Sequence, residues 1–146
     1  MSLTAIRSWE PYTRSVLRIV AGLTYSLHGY QKMFGLFGGM GGTGAKPPFL
    51  SLLWTAGVIE TVGGALLILG LFTTPIAFIL SGEMAFAYFI RHFPRSPWPI
   101  MSGGELAVVY CFLFLYLFTA GPGAWSLDTL LKKNRRKGSP LEKNVG

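Results

Sequence analysis

The feature that most constrains this chain is an apolar segment from Leu50 to Phe72 that contains a single charged residue, Glu60. A helix rises about 1.5 Å per residue, so this segment would be roughly 34 Å long and could cross a bilayer with some tilt. A charged side chain at the bilayer centre costs roughly 3 kcal/mol unless it faces the protein interior, has a partner or is protonated. Glu60 therefore predicts that other helices present polar groups to it.

The composition indicates an integral membrane protein. Hydrophobic residues make up 51% of the 146 residues and charged residues 13%, against about 25% charged in a typical soluble domain. We predict one membrane domain over residues 1–131, with a short interfacial lead-in, followed by a basic, disordered tail over residues 132–146. Because the net charge of +7 is concentrated near the two ends, it predicts contact with lipid headgroups and not with nucleic acid.

The hydropathy pattern predicts an all-α fold, an antiparallel four-helix bundle that spans the membrane. The helices are predicted at about residues 13–34, 50–72, 75–92 and 102–120. Glycine-rich residues 35–49 and the Pro47-Pro48 pair form the first loop, since neither favours helix. The short link at residues 73–75 makes the second and third helices neighbours, with Thr74 as the predicted cap.

Charge placement predicts the orientation of the bundle. Nine of the thirteen lysines and arginines lie toward the two termini, and four lie in or beside the loops that follow the first and third helices. This bias places both termini in the cytoplasm. Arg14 and Arg18, near the start of the first helix, are predicted to extend to the headgroups along their apolar stems.

Polar residues inside the helices predict a site in the outer half of the bundle. Helical spacing places Tyr25, His28 and Lys32 on one face and Glu60 on a face with small residues. The candidate ligand-binding or proton-relay residues are Tyr25, His28, Lys32, Glu60, Glu83 and Glu105. The predicted helix-packing glycines are Gly57, Gly63 and Gly64.

Structural roles remain open for several of these candidates. His28 and Glu83 could simply pair with neighbouring helices. Glu105 follows Ser102-Gly-Gly and fits a capping box at the start of the fourth helix. The basic cluster of Arg91, His92 and Arg95 is interpreted as a solvated interfacial group.

Three other signals are rejected. Residues 39–44 match the pattern GxGxxG, but no strand precedes them, so we predict no nucleotide site. Haem ligation by His28 and His92 would use both histidines of the chain and has no further support. A metal bound by His28, Glu60 and Glu105 lacks any motif spacing, and we predict no metal site.

Three stretches in order resemble the DoxX family of small bacterial four-helix membrane proteins. They are LRIVAGLTYSLHGYQKMFG at residues 17–35, ETVGGALLILGLFT at residues 60–73 and GPGAWSLD at residues 121–128. The resemblance covers roughly residues 14–128 and implies a bacterial cytoplasmic (inner) membrane location. It also implies a link to redox metabolism, because the related DoxD type is a subunit of thiosulfate:quinone oxidoreductase.

Three functions follow as hypotheses. The sequence most favours a non-catalytic accessory subunit with protein partners in a larger redox or respiratory-type membrane complex. The second is a quinone-linked redox component, with quinone as the possible cofactor in a polar site between the helices. The third is a carrier for a small solute or for protons along the carboxylates.

Overall fold

The fold is all-helical over residues 2–137, the part of the chain that the computed structural model describes. Apart from loops, the described residues add only an isolated bridge between Met40 and Ala45. The helices are α1 (Leu3–Arg7), α2 (Glu10–Phe34), α3 (Leu52–Leu69), α4 (Thr73–Ala87), α5 (Pro99–Ser102), α6 (Glu105–Ala120) and α7 (Leu127–Lys137). The predicted all-α class is confirmed.

The four predicted long helices are present with shifted ends. α2 begins at Glu10, before the predicted residue 13, because Pro11 fixes a helical φ in the first turn. α3 is shorter than predicted at both ends. The Ser51 side chain caps its start by accepting a hydrogen bond from the Trp54 amide at 3.2 Å, and Gly70 ends it at φ 65°.

The start of α4 is capped from a distant part of the chain, so the predicted Thr74 cap is wrong. The two carboxylate oxygens of Asp128 accept hydrogen bonds from the amides of Phe72 and Thr73, each at 2.9 Å. A carboxylate at a helix start is favoured by the unpaired amides and by the helix dipole. A π-helical turn, Tyr88–His92, then continues α4 to the predicted end at residue 92.

Two predictions about the C-terminal half are corrected. The capping box at α6 does not form, because Gly104 occupies the cap position and the Ser102 hydroxyl donates to the Pro99 carbonyl instead. α7 continues to Lys137, so residues 132–137 of the predicted disordered tail are helical. Residues 138–146 lie outside the described residues. At the other end, α1 lies within the predicted lead-in.

Glycines bring α2 and α3 into close contact. A Cβ atom added at Gly64 would lie 2.7 Å from the Ser26 Cβ and 2.9 Å from the Gly22 carbonyl oxygen of α2. Gly57 likewise faces Lys32 of α2, whereas Gly63 faces Leu80 of α4. The three predicted packing glycines therefore lie at helix contacts, and two of them lie where α2 meets α3.

The outer surface of the protein is apolar. Thirty-five large hydrophobic side chains are exposed among the described residues. Two helical stretches are long and apolar enough to cross a membrane, Leu52–Leu69 and Thr73–His92. Only 28% of the most apolar 18 residues of each is buried inside the protein. α6 is apolar but shorter. A soluble protein rarely exposes such an area, which is typical of a surface that lipid or a partner covers.

Arg18 is fully buried, so its predicted extension to the headgroups is wrong. Its guanidinium donates to the carbonyls of Leu67 and Ile68 in the last turn of α3, and to those of Pro122 and Trp125 in the loop after α6. A guanidinium stays charged in proteins, and its burial is tolerated only where acceptors match its donors. Arg18 therefore joins α2, α3 and the 121–126 loop at one end of the molecule.

Two glycine-to-alanine substitutions test the close approach of α2 and α3. Gly64→Ala should destabilise the protein by about 1–3 kcal/mol, because its methyl group would meet α2. Gly82→Ala is the matched control, since Gly82 also lies inside a helix and has no atom within 4 Å of an added Cβ. It should be neutral or stabilise by about 0.5–1 kcal/mol. Thermal unfolding in a mild detergent measures both, and equal midpoints for the two variants would contradict this packing.

Candidate functional site

We call α4 and its π-helical continuation, residues 73–92, the α4 segment. A half-open cleft of about 910 Å³ lies between α2, α3, the α4 segment and α6. Most of its lining residues come from the halves of these helices that are next to two connections, the 35–51 loop and the 93–104 connection that contains α5. Apolar residues form the walls, including Ile59, Met84 and Ala107. Other wall residues, such as Phe86 and Leu106, also belong to the exposed apolar surface. The cleft is thus within reach of whatever covers that surface.

An ion pair between Lys32 of α2 and Glu60 of α3 lies at the inner end of the cleft. The Glu60 side chain is 4% exposed and the Lys32 side chain 20% exposed. Gly57, one turn before Glu60, makes this pair possible, because any side chain there would collide with the Cβ of Lys32. The predicted need of Glu60 for a polar partner is met by a residue of the neighbouring helix.

A second carboxylate lies on the opposite wall of the cleft. The Tyr25 hydroxyl donates to Oε2 of Glu83 at 2.7 Å, which links α2 to α4. The Tyr25 ring is 1% exposed and packs edge-on against the rings of Tyr110 and Phe114 of α6, with centroid distances of 5.3 and 4.9 Å. This aromatic packing fixes the hydroxyl, so the position of the Glu83 carboxylate is determined by three helices.

One oxygen of each carboxylate has no partner. Among the described residues, Oε2 of Glu60 and Oε1 of Glu83 are buried side-chain atoms without a hydrogen-bond donor. Buried polar atoms in proteins are nearly always paired, and a charged one costs more to leave unpaired. Both atoms belong to residues that line the cleft. Each of these two buried positions therefore lacks a hydrogen-bond donor.

The mouth of the cleft is basic. Arg91, His92 and Arg95 line it. The half-buried His28 lines the cleft about one helical turn farther from the 35–51 loop than Lys32. Nδ1 of His92 lies 3.1 Å from the Ser102 carbonyl oxygen, and a protonated Nδ1 would donate to it. The π-helical turn places these residues at the cleft, and such turns are frequent at functional sites. The interpretation of Arg91, His92 and Arg95 as a merely solvated cluster is therefore incomplete.

Five of the six candidate residues predicted from the sequence line this cleft: Tyr25, His28, Lys32, Glu60 and Glu83. The sixth, Glu105, is the exposed first residue of α6 and does not line it. His28, Glu60 and Glu105 consequently form no metal-binding cluster in the described residues. The binding and relay roles of the five remain predictions.

The structural role of Arg18 was not predicted, although the sequence carries a signal for it. Arg18, Tyr25 and Lys32 are spaced seven residues apart and lie on one face of α2. That face is the buried one, where Arg18 and Tyr25 are almost inaccessible. The same spacing that predicted Tyr25 and Lys32 as interior residues applies equally to Arg18.

The protein is all-helical, its exterior is apolar, and a cleft with polar groups lies between its helices. These features are typical of helical membrane proteins. The sequence model of the DoxX family matches residues 14–93, which cover the segment from α2 to the π-helical turn. An uncharacterized protein of Haemophilus influenzae is 45% identical over 130 residues, which cover 84% of this chain and 93% of the relative. No solved structure matches the chain. The chain belongs to the DoxX family, a family of membrane-associated proteins.

Removing one partner of the buried ion pair should cost more than removing both. Lys32→Met leaves the Glu60 carboxylate buried and unpaired, and should destabilise the protein by about 3–5 kcal/mol. The double variant Lys32→Met/Glu60→Met should recover most of that loss, because two apolar side chains need no partner. Denaturant unfolding in detergent, as a double-mutant cycle, gives the coupling. Additive effects of the two substitutions would mean that the pair does not interact.

Proposed function

We propose that this protein is a multi-pass integral protein of a bacterial cytoplasmic membrane whose cleft binds a quinone. In this proposal α2, α3, the α4 segment and α6 form an antiparallel bundle that spans the bilayer. The exposed apolar side chains and the two long apolar helices support membrane insertion. The lysines and arginines near the two ends support cytoplasmic termini.

Cysteine labelling tests this orientation. In a Cys111→Ala background, which removes the only cysteine of the chain, new cysteines replace exposed residues on each side, Thr43→Cys in the first loop and Lys133→Cys in α7. A membrane-impermeant maleimide should label Thr43→Cys in spheroplasts and Lys133→Cys only after lysis. The reverse pattern would place the termini outside, and labelling of both in sealed spheroplasts would contradict the spanning bundle.

The cleft carries the proposal of a quinone site. Its volume lies within the range of small-molecule sites, about 300–1,000 Å³, and its walls are apolar, with polar groups at the inner end and at the mouth. Lys32 has three donor hydrogens and uses one on Glu60, so others are free for a ring carbonyl. His28 is a second possible donor from the same wall. Glu60 and Glu83 supply the groups that a carrier needs when its redox change is coupled to protons.

A quinone fits this site better than a transported solute does. A carrier needs a path to both sides of the membrane. Beyond Tyr25 and Glu60, however, the interior is filled by fully buried side chains, among them Leu67 and Phe114, and then by Arg18. The residues that line the cleft lie near the 35–51 and 93–104 connections, and several of them belong to the apolar exterior. Lipophilic molecules can reach such a cleft from the bilayer.

A role as an accessory subunit is compatible with this site, because it concerns the proteins that bind the outer surface and not the cleft. A quinone-binding subunit exchanges electrons with another protein component, so we propose that the chain works as a component of a larger membrane complex. The exposed apolar surface is large enough to accommodate both lipid and partner helices. Purification in a mild detergent recovers fixed partners if the complex is stable.

Blocking the cleft should remove quinone binding. Ala56 lines the cleft, and Ala56→Phe would extend a ring into it. The variant should reduce the affinity for a short-chain alkylated benzoquinone at least about tenfold, roughly 1.4 kcal/mol. Val62→Phe is the control, because Val62 lies on α3, is 53% exposed and does not line the cleft. Binding is measured by quenching of tryptophan fluorescence, and bound quinone by mass spectrometry of lipid extracts. Absence of binding to the wild type by both the oxidised and the reduced form of the ligand would overturn the proposal.

A further inference from the structure

The inner end of the cleft contains buried acceptors that lack donors. Glu60 is 3% exposed, and its Oε1 accepts from Lys32 while its Oε2 has no partner. Glu83 repeats the arrangement, since Oε2 accepts from Tyr25 and Oε1 has no partner. The Lys32 ammonium and the Tyr25 hydroxyl thus bond to the other oxygen of each carboxylate. Neither of them satisfies the two free oxygens.

The two free oxygens determine which ligand chemistry suits the site. A ring with two carbonyl groups has only acceptors, and placing acceptors against buried carboxylate oxygens is unfavourable. A ring with two hydroxyl groups has two donors and would pair both oxygens with charge-assisted hydrogen bonds, which are stronger than neutral ones. Sites that bond to a ligand hydroxyl discriminate strongly against analogues that lack it.

We infer that the cleft prefers the reduced, dihydroxy form of its ring ligand, whose hydroxyl groups donate to Oε2 of Glu60 and Oε1 of Glu83. This inference rests on the proposed quinone site and concerns binding only. It identifies the two carboxylates as the recognition groups for the reduced form. Tyr25 acts as a positioning residue, because it holds the Glu83 carboxylate through its other oxygen. Lys32 holds the Glu60 carboxylate in the same way with one of its three donor hydrogens.

Matched ligands test the preference. Under anaerobic conditions, a short-chain alkylated benzoquinol, the corresponding benzoquinone and the dimethyl ether of the quinol are titrated into the purified full-length protein. The three share a ring and a tail and differ in whether the ring carries donors. The quinol should bind at least about tenfold more tightly than either of the others. The ether distinguishes a need for donors from a general preference for a reduced, aromatic ring.

A substitution that exchanges acceptor for donor should change the preference. In Glu83→Gln, the amide oxygen can still accept from Tyr25, and the amide NH₂ takes the place of the free oxygen. The ratio of quinol to quinone affinity should fall by about tenfold or more, and the affinity for the quinone itself should rise. Glu105→Gln is the control, since Glu105 is exposed and lies outside the cleft. Its ratio should equal that of the wild type.

Each result has a distinct meaning. If the wild type binds the quinone as tightly as the quinol, the inference is wrong and the proposed quinone site stands. A protonated carboxyl that donates to the ring carbonyls would give that result. If neither ligand binds, the proposed function fails as well. An unchanged ratio in a folded Glu83→Gln protein would also overturn the inference. If that variant does not fold, Glu60→Gln, checked by thermal unfolding, provides the same comparison.

Discussion

The buried guanidinium of Arg18 is the interaction on which the rest of the structure depends. It donates to the carbonyl oxygens that end α3 and to those of the loop after α6. Gly70 provides the space, because an added Cβ would lie 2.8 Å from the guanidinium carbon. Asp128, just past that loop, caps α4 and also donates its own amide to the Gly70 carbonyl at 2.9 Å. Arg18 therefore fixes the end of α3 and the loop after α6, and the neighbouring Asp128 fixes the start of α4.

The end of the molecule that contains Arg18 is filled, and this distinguishes it from the end that contains the cleft. The interior next to Arg18 is packed with apolar side chains, and the cleft lies toward the other end of the helices. Glycines let α2 lie against α3 there, and Lys32 reaches Glu60 because Gly57 has no side chain. α4 adds Glu83, held by Tyr25. The polar cleft is thus a consequence of how closely four helices approach one another.

Membership in the DoxX family identifies the class of protein but not its ligand. The side chains that line the cleft indicate which kind of ligand would suit it. Its apolar walls suit a lipophilic ligand, and its inner end has one cation beside two carboxylates. In the proposed quinone site, each unpaired oxygen would favour a ligand that supplies a donor. The burial that makes a carboxylate costly inside an apolar helix is what would make it selective there.

The sequence by itself determined the all-α class, the approximate positions of the four long helices and the interior faces of α2 and α3. Hydropathy and helical periodicity are local properties, so Tyr25, Lys32 and Glu60 could be assigned to the interior before their partners were known. Tertiary structure alone decided the pairing of Lys32 with Glu60, the burial of Arg18 and the position of Glu105 outside the cleft. Those outcomes depend on contacts between residues up to 107 positions apart in the chain, as between Arg18 and Trp125, which no local pattern specifies.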